Sequence, residues 1–204
     1  MRDKTRRQRY DAKKKTAKTF PISVATVNFK HDGNIGYLIR SAACFGADRI
    51  HVIGTVPDRK ELNPLSGSLV DYVDIDQHSD PSKFIEYARD NNIKLISAEM
   101  CEGSESIETY DFDFSQPICI IVGHEEVGIP PEILNNSDKI YIPMPGIGYC
   151  LNTSQAANIL LYEATTQYQN TGIKSYYLNG GKIELRNIND IIAEWSESGM
   201  YNVP

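Results

Sequence analysis

KIYIPMPGIGYCLNTSQAANILLYEA, residues 139–164, is the stretch from which the fold can be read. Lys139 to Ile142 has the short apolar run of a strand, and Pro143, Pro145, Gly146 and Gly148 turn it into a loop. From Asn152 onward Leu160, Leu161 and Ala164 recur at helical spacing, with Asn152 or Thr153 placed to cap the helix. A strand that runs through a Pro/Gly loop into a helix belongs to an open α/β sheet. There the crevice beyond the carboxyl ends of the strands takes ligands, and a loop of small side chains lets the backbone approach them closely. The Gly146-x-Gly148 pair begins a dinucleotide fingerprint, but Leu151 stands where the third glycine is required. A nucleotide-dependent oxidoreductase is therefore disfavoured.

Working outward, Ile22–Phe29 reads as a buried strand, His31–Gly33 as a turn and 34–45 as a helix stopped by Gly46, with a second strand at 49–54. Strand, helix and strand in that order form a βαβ unit with parallel pairing. Asn63-Pro64 and Ser66-Gly67-Ser68 read as loop, and 69–75 as either a helix end or a short strand. A helix is expected at 81–91 with Phe84, Ile85 and Ala88 on one face, then a strand at 94–98 and a long connection over 99–116. Pro117–Val122 is a continuous apolar run, typical of a parallel strand buried on both faces, and Pro130-Pro131 opens a short helix to Leu134. Beyond Thr171 the chain holds an Asn179-Gly180-Gly181 turn and an amphipathic helical pattern at 188–195. The expected fold class is α/β, a parallel sheet flanked by helices. The expected organisation is a basic arm (1–20), one domain (21–168) and a C-terminal extension (169–204).

The 204 residues, 41% of them hydrophobic, suffice for one sizeable core. No apolar run approaches the ~20 residues that span a bilayer, and the basic N-terminus has no signal-type apolar stretch behind it, so a cytoplasmic protein without membrane contact is expected. Cys44, Cys101, Cys119 and Cys150 form no C-x-x-C pair and lie beside no histidine cluster, so neither a disulfide framework nor a metal site is expected. Charge is uneven. Residues 1–18 carry nine Lys/Arg against two Asp, a formal +7 that leaves −13 on the remainder of a chain whose total is −6. Such an arm suits a polyanion, because Lys/Arg neutralising phosphates supply the sequence-independent part of nucleic-acid affinity. Arg6, Arg7, Arg9, Lys13, Lys14 and Lys15 are its candidate RNA contacts; a merely solvated tail, disordered or helical, is the alternative.

Three segments carry the candidate chemistry: HDGNIGYLIRSAACFGAD (31–48), ICIIVGHEEVGIP (118–130) and 139–164. Taken locally, Asn34 is a helix cap, Arg40 a surface charge and Glu125-Glu126 a solvated pair whose neighbours point different ways. Taken together and in order, the three resemble the signature of the SpoU (TrmH-like) family of RNA ribose 2'-O-methyltransferases. Residues 34–46 follow N-x-G-x-x-x-R-x-A-x-x-F-G, and Glu125 stands at the family's glutamate. Cys150 departs from the pattern, since serine commonly precedes the Leu-Asn pair; a thiol is the weaker hydrogen-bond donor.

The resemblance implies a C-terminal deep trefoil knot, a homodimer formed through the knot region, and methyl transfer from S-adenosylmethionine to RNA, not DNA. It implies that Ala98, Gly123, Ile142, Met144 and Leu151 cradle the cofactor, while Asn34, Arg40, Glu125, Cys150 and Asn152 frame the reacting ribose and its phosphate. A guanidinium is effectively always charged, so Arg40 is expected to position and to stabilise charge more than to act as a base. Short extensions without a separate RNA-binding domain favour tRNA over rRNA. A catalytically inactive RNA-binding protein of the same fold is the alternative, with Cys150 its first suspect.

Overall fold

The computed structural model describes residues 5–27 and 33–170, all within a compact unit spanning 1–173. The expected end of the first strand, the turn at 31–32 and the C-terminal turn and helix lie outside the described residues. Seven parallel strands, β1 (Ile22–Val27), β2 (Arg49–Ile53), β3 (Asp74–His78), β4 (Lys94–Ala98), β5 (Glu105–Ser106), β6 (Ile118–Val122) and β7 (Asp138–Tyr141), lie in the order β3-β2-β1-β6-β4-β7-β5. From β1 the chain winds outward to β2 and β3, then crosses to build the other half from β4. Topology therefore reverses beside β1, where open parallel sheets form their ligand crevice.

The central strands show why no alternation was visible in their sequences. In β6, Ile118, Ile120 and Val122 enter one apolar layer and Cys119 and Ile121 the other, so both faces are buried. The first layer is closed by α2 (Gly33–Phe45), α3 (Arg59–Leu65) and α6 (Thr153–Asn170) through residues such as Leu38, Ile39, Leu62, Leu160 and Leu161. Phe84, Ile85 and Ala88 of α4 (Pro81–Asp90) and Ile133 of α5 (Pro131–Leu134) close the second. Gly46 ends α2 in the left-handed region at φ 71°, where an added Cβ would lie 2.5 Å from the Lys18 carbonyl oxygen. No helix among the described residues is long and apolar enough to cross a membrane.

Three local expectations change. Asn63-Pro64 lies inside α3, not in a loop; the proline falls in the last turn, where its absent N–H forfeits only one helical bond. Residues 70–72 form a 3₁₀ turn and β3 begins only at Asp74, its polar sequence DIDQH reflecting an edge position. The 99–116 connection contains β5, a two-residue edge strand.

The arm is a docked helix, α1 (Arg6–Lys14), capped by a reciprocal Thr5–Gln8 box. The Tyr10 hydroxyl donates to the Gly67 carbonyl at 3.1 Å, the Tyr72 hydroxyl donates to Asp11 at 2.6 Å, and the two rings meet edge-on with centroids 5.6 Å apart. Arg6, Arg7, Arg9, Lys13, Lys14 and Lys15 remain exposed.

On the α4 side, His51 Nδ1 lies 3.2 Å from His78 Nε2, and both rings pack on Phe84 and Tyr87. Burial, reinforced by His78, pushes the His51 pKa down to about 4, and burial also lowers that of His78. His51 Nε2 is buried without a hydrogen-bond partner, so a proton added there finds no acceptor. Because the unfolded chain takes up these protons near pH 6.5 and the folded chain does not, their contribution to stability is complete above that pH. It is lost as the pH falls toward 4. Thermal denaturation between pH 7.5 and pH 5 is expected to show a falling midpoint, with a smaller fall in His51→Leu. Equal pH dependence in the two proteins would contradict the assignment.

Candidate functional site: two cavities joined at an asparagine pair

The carboxyl ends of β4, β6 and β7 and the loop leading to α6 enclose a cleft of 370 Å³. Ala98 and Gly123 follow the β4 and β6 backbones into it, Ile142 and Met144 line it just beyond β7, and Leu151 closes it before α6. All five expected cofactor contacts thus face one space, and Glu125, Cys150 and Asn152 line it too. Among the described residues its lining includes three glutamates, Glu99, Glu125 and Glu126, and no lysine or arginine.

A second, wider groove of 630 Å³ lies between α2 and α6. Arg40, Tyr37 and Asn34 reach it from α2, and Asn152, Ser154, Gln155 and Asn158 from the start of α6. Although six positions separate Asn34 and Arg40 along the chain, both line this groove. Arg40 is exposed and lies over Gly67: a Cβ added to that glycine would sit 3.8 Å from its Cδ and Nε. The same Gly67 holds Tyr10 through its carbonyl, so the basic helix α1 and Arg40 both lie against one loop.

The cavities meet at a chain of polar side chains. Asn34 Nδ2 donates to Glu125 Oε1, and Asn152 Nδ2 donates to Asn34 Oδ1 at 3.1 Å. Asn152 Oδ1 accepts from the Ser154 backbone N–H at 3.0 Å and from its hydroxyl at 2.6 Å. Asn152 is thus a helix cap, as its local context suggests, and also a bridge. Asn34 is not a cap: it is the second residue of α2 and only 6% exposed, and both ends of its amide are held by tertiary partners. Cys150 is exposed at the cleft. His124 Nδ1 accepts the Glu126 N–H at 3.1 Å, bracing the loop. Sequence reasoning passed over Ser154, whose position two residues after a capping asparagine was a usable signal, and over Tyr37, Gln155 and Asn158, whose meeting across two helices was not.

The SpoU rRNA Methylase family matches residues 21–162. The tRNA (guanosine(18)-2'-O)-methyltransferase of Escherichia coli (strain K12) is 26% identical over 141 residues, covering 69% of this chain and 61% of that protein. The 23S rRNA (uridine(2479)-2'-O)-methyltransferase of Streptomyces viridochromogenes is 32% identical over 141 residues, covering 66% and 49%. The match thus spans about three fifths or less of these relatives' lengths. The crystal structure of an AdoMet-bound rRNA methyltransferase from Sinorhizobium meliloti superposes with a TM-score of 0.66 at 27% identity, covering 71% of this chain and 56% of that one. With a match from β1 into α6 and the parallel sheet in common, the chain belongs to the SpoU rRNA methylase family.

Proposed function

We propose that the chain is an S-adenosylmethionine-dependent RNA methyltransferase acting on a ribose 2'-hydroxyl. The observation that carries this reading is the junction of a largely apolar cleft with an arginine-bearing groove at Asn34 and Asn152. A methyl donor and an RNA acceptor need two such neighbouring spaces.

The cleft suits the donor: its volume falls within the ~300–1,000 Å³ of small-molecule sites, and its lining is largely apolar loop. When bound, S-adenosylmethionine supplies an electrophilic methyl group. Ala98, Gly123, Ile142, Met144 and Leu151 hold the donor, and the Glu125–Asn34–Asn152 chain fixes the wall between donor and acceptor. Arg40 binds the phosphate next to the reacting ribose, orients the 2'-hydroxyl and stabilises the negative charge that grows on its oxygen as its proton passes to solvent. Holding the reacting atoms at near-attack distance can contribute roughly 7–11 kcal/mol to lowering the barrier. A trefoil knot at the 142–152 loop, a homodimer through that region and a cytoplasmic location complete the reading. tRNA is the favoured substrate, in line with the activity named for the E. coli relative.

The test is transfer of labelled methyl from S-adenosylmethionine to size-fractionated unmodified tRNA and rRNA, scored for alkali resistance of the adjacent linkage. Label at a protected linkage in the tRNA fraction is expected; label confined to bases would overturn the reading. The exposed thiol of Cys150 favours one second reading, an RNA-binding protein with a disabled site. On that reading the wild type binds both ligands without transfer and Cys150→Ser restores it.

Changing Arg6, Arg7, Arg9, Lys13, Lys14 and Lys15 to glutamine, which leaves the Tyr10 and Asp11 contacts in place, is expected to weaken RNA binding at low salt. It should also flatten the salt dependence by about 0.7–0.9 in log–log slope for each phosphate that the arm no longer neutralises. A slope equal to that of the wild type would make the arm a bystander.

A further inference from the structure

Glu99 lies outside all three motif segments, yet it ties together three walls of the cleft. Its backbone N–H donates to the Ile140 carbonyl of β7 at 3.0 Å, and its own carbonyl accepts the Ser104 hydroxyl at 2.8 Å, so the residue is anchored where β4 ends. From that base its Oε2 accepts the Ile129 N–H at 3.1 Å.

The loop it supports is tight. His124 and Gly128 exchange two backbone hydrogen bonds of 3.0 and 2.9 Å, and Gly128 takes φ 69°. A Cβ at Gly128 would lie 2.5 Å from Glu99 Oε2, so the glycine is what lets the carboxylate reach Ile129. Ile129 is buried in the α4-side core, and the loop projects Glu125 onto Asn34.

We propose that Glu99 is a positioning residue, its carboxylate setting the 123–129 loop both for cofactor binding and for the Glu125–Asn34 contact. The proposal rests on the methyltransferase reading above. A hydrogen bond to a charged acceptor is worth roughly one to two decades in an equilibrium constant, and removing this one frees a cleft wall that the ligand must then order.

The test is calorimetric titration of the full chain with S-adenosylmethionine. Glu99→Ala is expected to weaken binding by about 10-fold or more, whereas Glu99→Gln, whose amide oxygen still accepts the Ile129 N–H, stays within about 3-fold of wild type. Glu99→Asp keeps the charge but withdraws the carboxylate by one methylene, and is expected to fall with the alanine variant. In a double-mutant cycle on transfer rate, Glu125→Ala should cost less in the Glu99→Ala background than in the wild type, because Glu99 acts through that loop. Wild-type binding with an equally tight Glu99→Ala would overturn the role of Glu99 alone; so would a glutamine variant as weak as alanine, or additive effects in the cycle. A wild type that does not bind S-adenosylmethionine would instead overturn the reading of the cleft.

Discussion

Arg40→Ala is expected to lower methyl transfer on the order of 10²–10³-fold while changing affinity for S-adenosylmethionine by less than about 2-fold. The asymmetry follows from geometry. Arg40 lines the α2–α6 groove and not the cleft, so its removal leaves the donor site intact. In the groove its planar fork can grip a phosphate with two hydrogen bonds, which a point charge cannot reproduce, so Arg40→Lys should recover only part of the rate. The measurements are single-turnover transfer and calorimetric cofactor binding on the same preparations. Near wild-type transfer would make Arg40 a surface charge and move the acceptor site elsewhere. A matching drop in cofactor affinity would mean that α2 itself had shifted. Because the arm residues lie outside the groove that Arg40 lines, arm substitutions should alter RNA affinity without this collapse of rate.

Legibility varied with how local the determining physics was. β6 could be read because a strand buried on both faces must be apolar throughout, and α4 because Phe84, Ile85 and Ala88 share one helical face. α3 escaped because proline signals a break although a short helix tolerates it near its end, and β3 because an edge strand need not be apolar. The five residues assigned to the cofactor surround one cleft, an arrangement anticipated by family resemblance and not by periodicity. The Asn34–Asn152 bond joins residues 118 positions apart, and no local pattern encodes such a pairing. Glu99 was illegible for a similar reason: one glutamate after a strand has no signature until Gly128 and Ile129 are seen against it.

Asn34→Asp tests the junction most sharply, because it changes almost no volume and removes one hydrogen-bond donor. In the wild type the Asn34 amide donates to the Glu125 carboxylate. An aspartate there would oppose carboxylate to carboxylate in a position only 6% exposed. Two like charges so placed repel and the loop carrying Glu125 withdraws, with a cost of roughly 2–4 kcal/mol. Transfer at pH 8 is therefore expected to fall about 30- to 1,000-fold, the rate equivalent of that cost. The sign of the pH effect is distinctive. Lowering the pH toward 6 supplies the missing proton, which restores a donor between the two residues and lets the loop return. The ratio of variant to wild-type rate should thus rise as pH falls, the reverse of what simple destabilisation would give, since the His51–His78 pair weakens both proteins in that direction. Asn34→Ala, which removes the donor without adding charge, should be impaired with no such recovery. A pH-independent ratio for Asn34→Asp would show that Asn34 and Glu125 do not act as a pair in transfer.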